Sequence, residues 1–313
     1  MANVHRIGDY ENQNNGNYNR FGGGQDMQQD LQRLRAMNIP LMNLDDSNPI
    51  SPRKESFWDM LKINFCPRLK LVSFTVFISF VNIIMFIITS AQGIQNTDGS
   101  LLLQQKPDVL IDFGANYPVK IKHNGQVWRL VTAIFLHGSF YHIFFNTLST
   151  FIFVSSIERS YGVIVTFIIW IISGIGGNIF SADFASANSL SVGASTAIMG
   201  MIGLYIAFLI LNWKALEFMQ QLRCCLVMFA FLMVAMIFLL GASMGYGTTP
   251  GYSQNIDNYG HLGGLITGIL AGVVIPKPIQ SGQYEKNAKI VCGSLLALYT
   301  LLTFVLFFTA TDF

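Results

Sequence analysis

Residues 260–275 read GHLGGLITGILAGVVI, an apolar stretch with glycine at a regular spacing. It contains no Asp, Glu, Lys or Arg, and glycine recurs at every fourth position, at Gly260, Gly264, Gly268 and Gly272. Glycines at this spacing lie along one face of an α-helix and allow a neighbouring helix to approach closely inside a membrane. The stretch therefore predicts an apolar helix that packs tightly against another helix.

Six further apolar blocks lie along the 313-residue chain, in which 52% of the residues are hydrophobic and only 12% are charged. Soluble domains carry about twice that charged fraction, and a helix that spans a bilayer needs about 20 consecutive apolar residues. The sequence therefore predicts an all-α fold, a polytopic membrane helical bundle with seven transmembrane helices. The blocks cover residues 71–91, 141–156, 163–182, 195–211, 224–242, 260–275 and 290–310.

The charged residues predict the orientation of the chain and exclude one class of partner. A cytosolic N-terminus places 15 of the 19 Lys and Arg residues on the cytosolic side, as the positive-inside rule requires. The net charge is only +2, and no basic run is interleaved with aromatic residues. We therefore expect a cytosolic N-terminus, the lipid bilayer as a partner, and no binding of nucleic acid.

Two long segments lie outside the apolar blocks. Asn, Gln and Gly make up 14 of the 22 residues from 11 to 32, a composition that buries too little apolar surface to offset the entropy lost on folding. We predict that residues 1–69 form a disordered cytosolic region.

The second segment, residues 92–140, includes Trp128, and tryptophan favours the membrane interface. We expect this long loop to lie partly in the outer headgroup layer.

Polar residues at the start of three predicted spans are candidate functional residues, because an unpaired polar side chain inside a bilayer is costly. His142 and Asn146 open the second span, Ser195 opens the fourth, and His261 opens the sixth. These three spans run in the same direction, so their first residues lie at the same depth on the outer side. Ser195 and His261 then supply a nucleophile and a base, the pair that acyl transfer requires. His142 and Asn146 are four residues apart and share one helix face.

Each of these residues alone also has a purely structural interpretation. A serine beside glycine is most often a helix cap or a packing residue, and a histidine or asparagine within a span often forms only an interhelical hydrogen bond. The convergence of all of them on one side of the bilayer favours catalysis. The sequence contains no His-Glu-x-x-His string and no paired aspartates within the spans, so we expect neither a metal site nor a cofactor.

Several strings taken together resemble the rhomboid family of intramembrane serine proteases. The similarity extends over roughly residues 71–275, and the additional seventh span resembles the six-plus-one arrangement of eukaryotic secretory-pathway members. The strings are GQVWR at residues 125–129, His137-Gly138 through His142 and Asn146, GAS at residues 193–195, and His261 followed by Gly263-Gly264.

The resemblance implies a catalytic dyad of Ser195 and His261. It also implies that His142, Asn146 and the backbone amide of Ser195 stabilise the oxyanion. The implied function is that of a serine endopeptidase that cleaves single-span membrane proteins within or near the outer or luminal end of their transmembrane segment. The implied location is the secretory pathway or the plasma membrane.

The resemblance also divides the chain and reveals two departures from the family pattern. It implies a six-helix catalytic core at residues 70–276, followed by a cytosolic loop and the seventh helix at residues 277–313. Thr196 stands where the family's Gly-x-Ser-Gly string has its last glycine. Met199 stands where bacterial members often have a tyrosine near the histidine.

Two other classes of function fit parts of the sequence. A non-catalytic rhomboid-like protein that binds and traffics membrane clients would share the fold, but such relatives typically lose the serine or the histidine, and this chain keeps both. A small transporter is disfavoured because the polar residues lie at one end of the spans and do not line a path across the bilayer.

Asp257, four residues ahead of His261, is a candidate third catalytic residue that would orient the histidine.

Overall fold

The computed structural model describes residues 73–95, 102–217, 219–243, 248–249, 252–253 and 257–309. All of these lie in one unit of the chain, Lys54–Phe313. The predicted disordered region, residues 1–69, lies outside the described residues.

Helices dominate the described part of the chain, which confirms the predicted all-α polytopic membrane bundle. The helices are α1 (Phe74–Gln92), α2 (Pro107–Asp112), α3 (Pro118–Lys122), α4 (Arg129–Thr132), α5 (Phe140–Ser149), α6 (Ser155–Phe184), α7 (Ser195–Leu211), α8 (Gln220–Ser243), α9 (Asn258–Val274) and α10 (Gln283–Thr309). A 3-10 turn at Ala133–Phe135 follows α4, and a π-helical segment at Thr150–Val154 joins α5 to α6. Two-residue strands β1 (Thr248–Thr249) and β2 (Tyr252–Ser253) pair antiparallel before α9.

Three continuous helical runs are long and apolar enough to cross a membrane: Phe74–Gln92, Phe140–Phe184 and Gln283–Thr309. The second run contains α5 and α6 and is kinked inside α6, where the backbone at Gly162 has φ 80° and ψ 166°, which are not helical values. Shorter apolar helices cover Ser195–Leu211 and Gln220–Leu232. Helical structure occupies most of the described residues in each of the seven predicted blocks. That all seven cross the bilayer stays a prediction.

A carboxylate from α6 caps the N-terminus of α1. Glu158 accepts hydrogen bonds from Phe74 N at 2.8 Å, from Thr75 N at 2.9 Å and from the Thr75 hydroxyl at 2.7 Å. The first N–H groups of a helix have no partner within it, and the positive end of the helix dipole favours a negative charge. Glu158 therefore fixes the start of α1 against α6.

The long loop between α1 and α5 folds into the short helices α2, α3 and α4 and is fastened by two buried cations. Arg129 Nη1 donates hydrogen bonds to Ile111 O at 2.6 Å and to Ala115 O at 3.1 Å. Lys122 pairs with Asp183 on α6 at 3.6 Å; burial lowers the pKa of Lys122, and the Asp183 charge opposes that shift. Residues 102–139 of this loop are therefore a folded part of the bundle.

The α7 and α9 helices pack backbone against backbone along the glycine stripe. A Cβ atom at Gly264 would overlap the carbonyl oxygen of Thr196, and a Cβ atom at Gly268 would overlap the carbonyl oxygen of Gly200. The structure confirms the predicted close approach. The neighbour that the stripe contacts is α7, the helix that begins with Ser195.

The last helix, α10, holds the C-terminal ends of α7 and α9. The Tyr284 hydroxyl donates to Ile210 O on α7 at 2.8 Å. Lys289 Nζ donates to Val274 O at 2.8 Å and to Pro276 O at 2.6 Å, at the end of α9. The last carbonyl groups of a helix lack partners within it and favour a cation. The seventh helix therefore braces both of the helices that carry the candidate dyad.

We expect Gly268→Ala to lower the free energy of unfolding by about 1–3 kcal/mol, the usual cost of adding a methyl group to a filled contact. The new methyl group would meet backbone atoms of Gly200, so α7 and α9 would have to separate. Thermal unfolding of the purified protein in detergent measures the effect. Gly293→Ala is the matched control, because a Cβ atom there would lie 3.8 Å from Val274, an ordinary contact. Equal melting temperatures for the two variants would contradict tight packing at Gly268.

Candidate active site

Ser195 is the first residue of α7, and a tight turn places it there. Gly193 has φ +126°, a left-handed value that residues with a side chain rarely adopt. The Gly193 N–H donates to Ala133 O at 2.9 Å, which fixes the turn to the loop that precedes α5. The first N–H groups of α7 have no partner within the helix. The turn therefore presents the Ser195 hydroxyl beside a backbone donor.

His261 lies in the first turn of α9, opposite Ser195. Asp257 caps this helix, since its Oδ1 accepts from Gly260 N at 2.7 Å and its carbonyl oxygen accepts from His261 N at 3.0 Å. His261 Nε2 lies 2.8 Å from Ser195 Oγ, and the histidine is only 8% exposed. The structure thus brings the predicted nucleophile and base into hydrogen-bond contact.

His142 lies beside the same turn, and the residues before it orient its ring. Ser139 caps α5 by accepting from His142 N at 3.3 Å, and Gly138 N donates to His142 Nδ1 at 3.4 Å. Because Nδ1 accepts, the ring proton of the neutral histidine resides on Nε2. A Cβ atom at Gly193 would lie 2.7 Å from this Nε2 and 3.6 Å from Ser195 Oγ. An N–H donor and the serine hydroxyl therefore border one small space beside Gly193.

Asn146 lies one turn after His142 on α5 and is 6% exposed. Its side-chain Nδ2 donates to the His142 carbonyl oxygen at 3.0 Å. Among the hydrogen bonds of the described residues, none joins the Asn146 side chain to Ser195. The structure therefore places Asn146 next to His142 along the helix, and its oxyanion role stays a prediction.

His137 is a buried neighbour of the site to which the sequence pattern assigned no role. It is fully buried, and its ring centroid lies 5.2 Å from that of His142 in an edge-on arrangement. The available signal was the spacing, with a second histidine five residues before His142 at the entrance to an apolar span. The edge-on contact helps to fix the position of the His142 ring.

Asp257, the candidate third catalytic residue, binds groups other than the histidine ring. Its carboxylate oxygens accept from Gly260 N and from the Ser191 hydroxyl, the latter at 2.6 Å. His261 Nδ1 has no hydrogen-bond partner within the part of the chain that the structure describes. The Asp257 carboxylate therefore joins the α9 backbone to the loop that carries Ser191, and no hydrogen bond joins it to the His261 ring.

The two departures from the family pattern both contribute to the packing of α7. Thr196 is 3% exposed, and its backbone carbonyl contacts Gly264 on α9. Met199 is 1% exposed and packs in a cluster with Ile202 and Leu265. Leu265 lies one turn after His261 on α9, so Met199 packs against the helix that carries the histidine.

Comparison with known proteins identifies relatives of the chain. A family model described as the Rhomboid domain matches residues 124–278. The chain is 36% identical over 234 residues to Rhomboid-like protease 1 of Toxoplasma gondii, which is 74% of this chain and 74% of that protein. It is 30% identical over 210 residues to Rhomboid-like protease 2 of the same organism, covering 66% and 67%. It is 33% identical over 192 residues to RHOMBOID-like protein 6, mitochondrial, of Arabidopsis thaliana, covering 61% and 58%.

We expect Gly193→Ala to slow the covalent reaction of Ser195 with a fluorophosphonate by about 100-fold, the cost of losing one oxyanion donor. The methyl group would displace the His142 ring, and the backbone would be strained at the left-handed φ. The second-order rate constant of labelling in detergent measures the effect.

Gly138→Ala is the matched control on the other side of the same ring. A Cβ atom at Gly138 would lie 3.9 Å from His142 Nδ1, an ordinary contact that leaves the ring in place. If both variants reacted at the rate of the parent protein, the space beside Gly193 would have no role in the reaction of Ser195.

Proposed function

Because the chain belongs to the rhomboid family, we propose that it is an intramembrane serine endopeptidase with Ser195 and His261 as its catalytic dyad. The family and the long apolar helices make it a multi-pass membrane protein. Two of its relatives carry the word protease in their names, which supports the same activity here.

One contact supports the proposal most directly, the 2.8 Å between His261 Nε2 and Ser195 Oγ. Neutral His261 accepts the hydroxyl proton as Ser195 Oγ attacks the carbonyl carbon of the scissile peptide bond. The protonated ring then donates this proton to the departing amine, which leaves an acyl-enzyme. A water molecule gives a proton to Nε2, attacks the ester and releases the acid, and the proton returns to Ser195.

The negative charge that develops on the carbonyl oxygen requires donors that already point at it in a water-poor site. We assign this role to His142 Nε2–H, to the Ser195 backbone N–H and to the Asn146 amide. The first is supported by its position beside Gly193, and the second by the positive end of the α7 dipole. Asn146 Nδ2 carries two hydrogens, and the one that does not bind the His142 carbonyl oxygen is the donor that we assign to the oxyanion.

The position of the site supports the proposed substrate class. Ser195, His142 and His261 all lie in the first turns of helices, at the end of the bundle that the distribution of Lys and Arg predicts to be outside. A single-span membrane protein would present the outer or luminal end of its transmembrane segment at this depth. We propose cleavage there, within the bilayer and without nucleic acid, metal or cofactor.

We also propose the orientation, location and domain limits of the chain. The N-terminus is cytosolic, since 15 of the 19 Lys and Arg residues then lie inside. The location is the secretory pathway or the plasma membrane. Although one relative is named mitochondrial, α10 follows the core, an arrangement that the resemblance associates with secretory-pathway members. Residues 70–276 form the catalytic core, and residues 277–313 the cytosolic loop and the seventh helix.

A non-catalytic rhomboid-like protein that binds membrane clients is the alternative. It predicts that a single-span client copurifies with the chain and stays intact. The hydrogen bond between Ser195 and His261 favours catalysis, because binding alone requires no base beside a serine hydroxyl.

We expect Ser195→Ala to abolish cleavage of a single-span substrate by the purified protein in detergent, because the change removes the nucleophile and very little volume. His261→Ala should reduce cleavage as deeply, and the double variant should be no worse, since the two residues act as a unit. Gel analysis of the cleavage products measures activity, and thermal unfolding measures integrity.

Two results would contradict the proposal. Cleavage by the purified Ser195→Ala variant would show that Ser195 is not the nucleophile. The binding alternative would be favoured if the parent protein cleaved no single-span substrate and an intact single-span client copurified with it.

We expect His142→Ala and Asn146→Ala each to lower turnover by about 100- to 1,000-fold without abolishing it, since each removes one oxyanion donor. Labelling of Ser195 by a small fluorophosphonate should be slower but detectable in both variants. Steady-state turnover of the same substrate measures the loss. A variant that cleaved at the parent rate would show that its residue serves only in helix packing.

A further inference from the structure

The carboxylate of Asp257 joins the helix of the histidine to the turn of the serine. Its Oδ1 accepts from Gly260 N at 2.7 Å, in the turn of α9 that carries His261. Its Oδ2 accepts from the Ser191 hydroxyl at 2.6 Å, four residues before Ser195. One side chain therefore contacts both of the segments that carry the dyad.

Ser191 is itself held in place by its backbone. Ser191 N donates to Asn116 O at 3.0 Å, and Asn116 N donates to Ser191 O at 2.9 Å. The Asn116 side chain donates to Asn178 O on α6 at 3.0 Å. Ser191 is 8% exposed. Its hydroxyl is therefore a fixed point at which α9 can be anchored.

Asp257 adds a polar link to an interface that is built on the glycine stripe. Backbone contact at Gly264 and Gly268 sets the distance between α7 and α9 but supplies no hydrogen-bonding side chain at the end that carries the dyad. The hydrogen bond between Ser195 and His261 depends on the axial position of α9 relative to α7. A hydrogen bond to a carboxylate is stronger and shorter than one between neutral groups.

We propose that Asp257 and Ser191 are a pair of positioning residues that sets the axial register of His261 relative to Ser195. This inference rests on the proposed protease function. The pair acts through the backbone of the first α9 turn, because the carboxylate oxygens bind Gly260 N and the Ser191 hydroxyl. Within the described residues no hydrogen bond reaches His261 Nδ1. Loss of the link lets α9 shift and lengthens the contact between His261 Nε2 and Ser195 Oγ.

Ser191→Ala tests the link most sharply, because it removes one hydroxyl and keeps both the Asp257 helix cap and the backbone pairing with Asn116. We expect kcat for a single-span substrate to fall by about 10- to 100-fold, the usual effect of a displacement near 1 Å in an active site. KM should stay within about twofold, because the substrate contacts are unchanged. The rate of fluorophosphonate labelling of Ser195 should fall by the same factor as kcat.

Three further variants separate positioning from general stability. Ser189→Ala is the matched control in the same loop, since the Ser189 hydroxyl has no hydrogen-bond partner within the described ranges; it should leave kcat unchanged. Ser191→Thr keeps a hydroxyl and should restore most of the activity. Ser191→Ala combined with Asp257→Asn should be no slower than Asp257→Asn alone, because both changes act on one bond.

The outcomes distinguish the two proposals. If the parent protein cleaves its substrate and Ser191→Ala matches Ser189→Ala in kcat, the positioning role is wrong and the protease function stands. A lower melting temperature with an unchanged labelling rate per folded molecule also overturns the positioning role. If the parent protein neither cleaves nor reacts with the fluorophosphonate, the protease function fails and the positioning role fails with it.

Discussion

The α7 and α9 helices touch backbone to backbone, and this contact sets the distance between Ser195 and His261. Gly264 and Gly268 allow it, because any side chain at these positions would meet carbonyl oxygens of α7. A serine side chain is short, so its hydroxyl reaches a histidine on another helix only when the two helix axes are close. At this separation His261 Nε2 lies 2.8 Å from Ser195 Oγ. The hydrogen bond between Ser195 and His261 therefore requires the close packing of α7 against α9.

Polar contacts hold this pair of helices at both ends. Tyr284 and Lys289 of α10 bind the last carbonyl groups of α7 and α9. At the end that carries the dyad, Asp257 bonds both the α9 backbone and Ser191. Lipid is as apolar as the side chains that it contacts, so the hydrophobic effect does not select one helix arrangement over another. Close backbone contact and a few hydrogen bonds must therefore specify the bundle.

The long loop before α5 determines the other side of the site. Its Ala133 carbonyl accepts the Gly193 N–H and so fixes the turn before the nucleophile. Gln105 N donates to Gly138 O at 2.9 Å, and Gly138 N donates to the ring of His142. The loop thus positions both borders of the space beside Gly193. This role explains why residues 102–139 are folded against the bundle and held by the Arg129 hydrogen bonds and the Lys122–Asp183 ion pair.

Composition and spacing by themselves determined the apolar blocks, the glycine stripe and the placement of Ser195 and His261 at the first turns of their helices. Each of these features depends only on residue type and on the period of one helix, which a sequence states directly. The tertiary structure decided what each polar group binds. It joined Asp257 to Ser191, which lies 66 residues away, and it turned the Asn146 amide toward a carbonyl of its own helix. Such pairings depend on how separate helices and loops meet in space, and spacing along one helix carries no information about that.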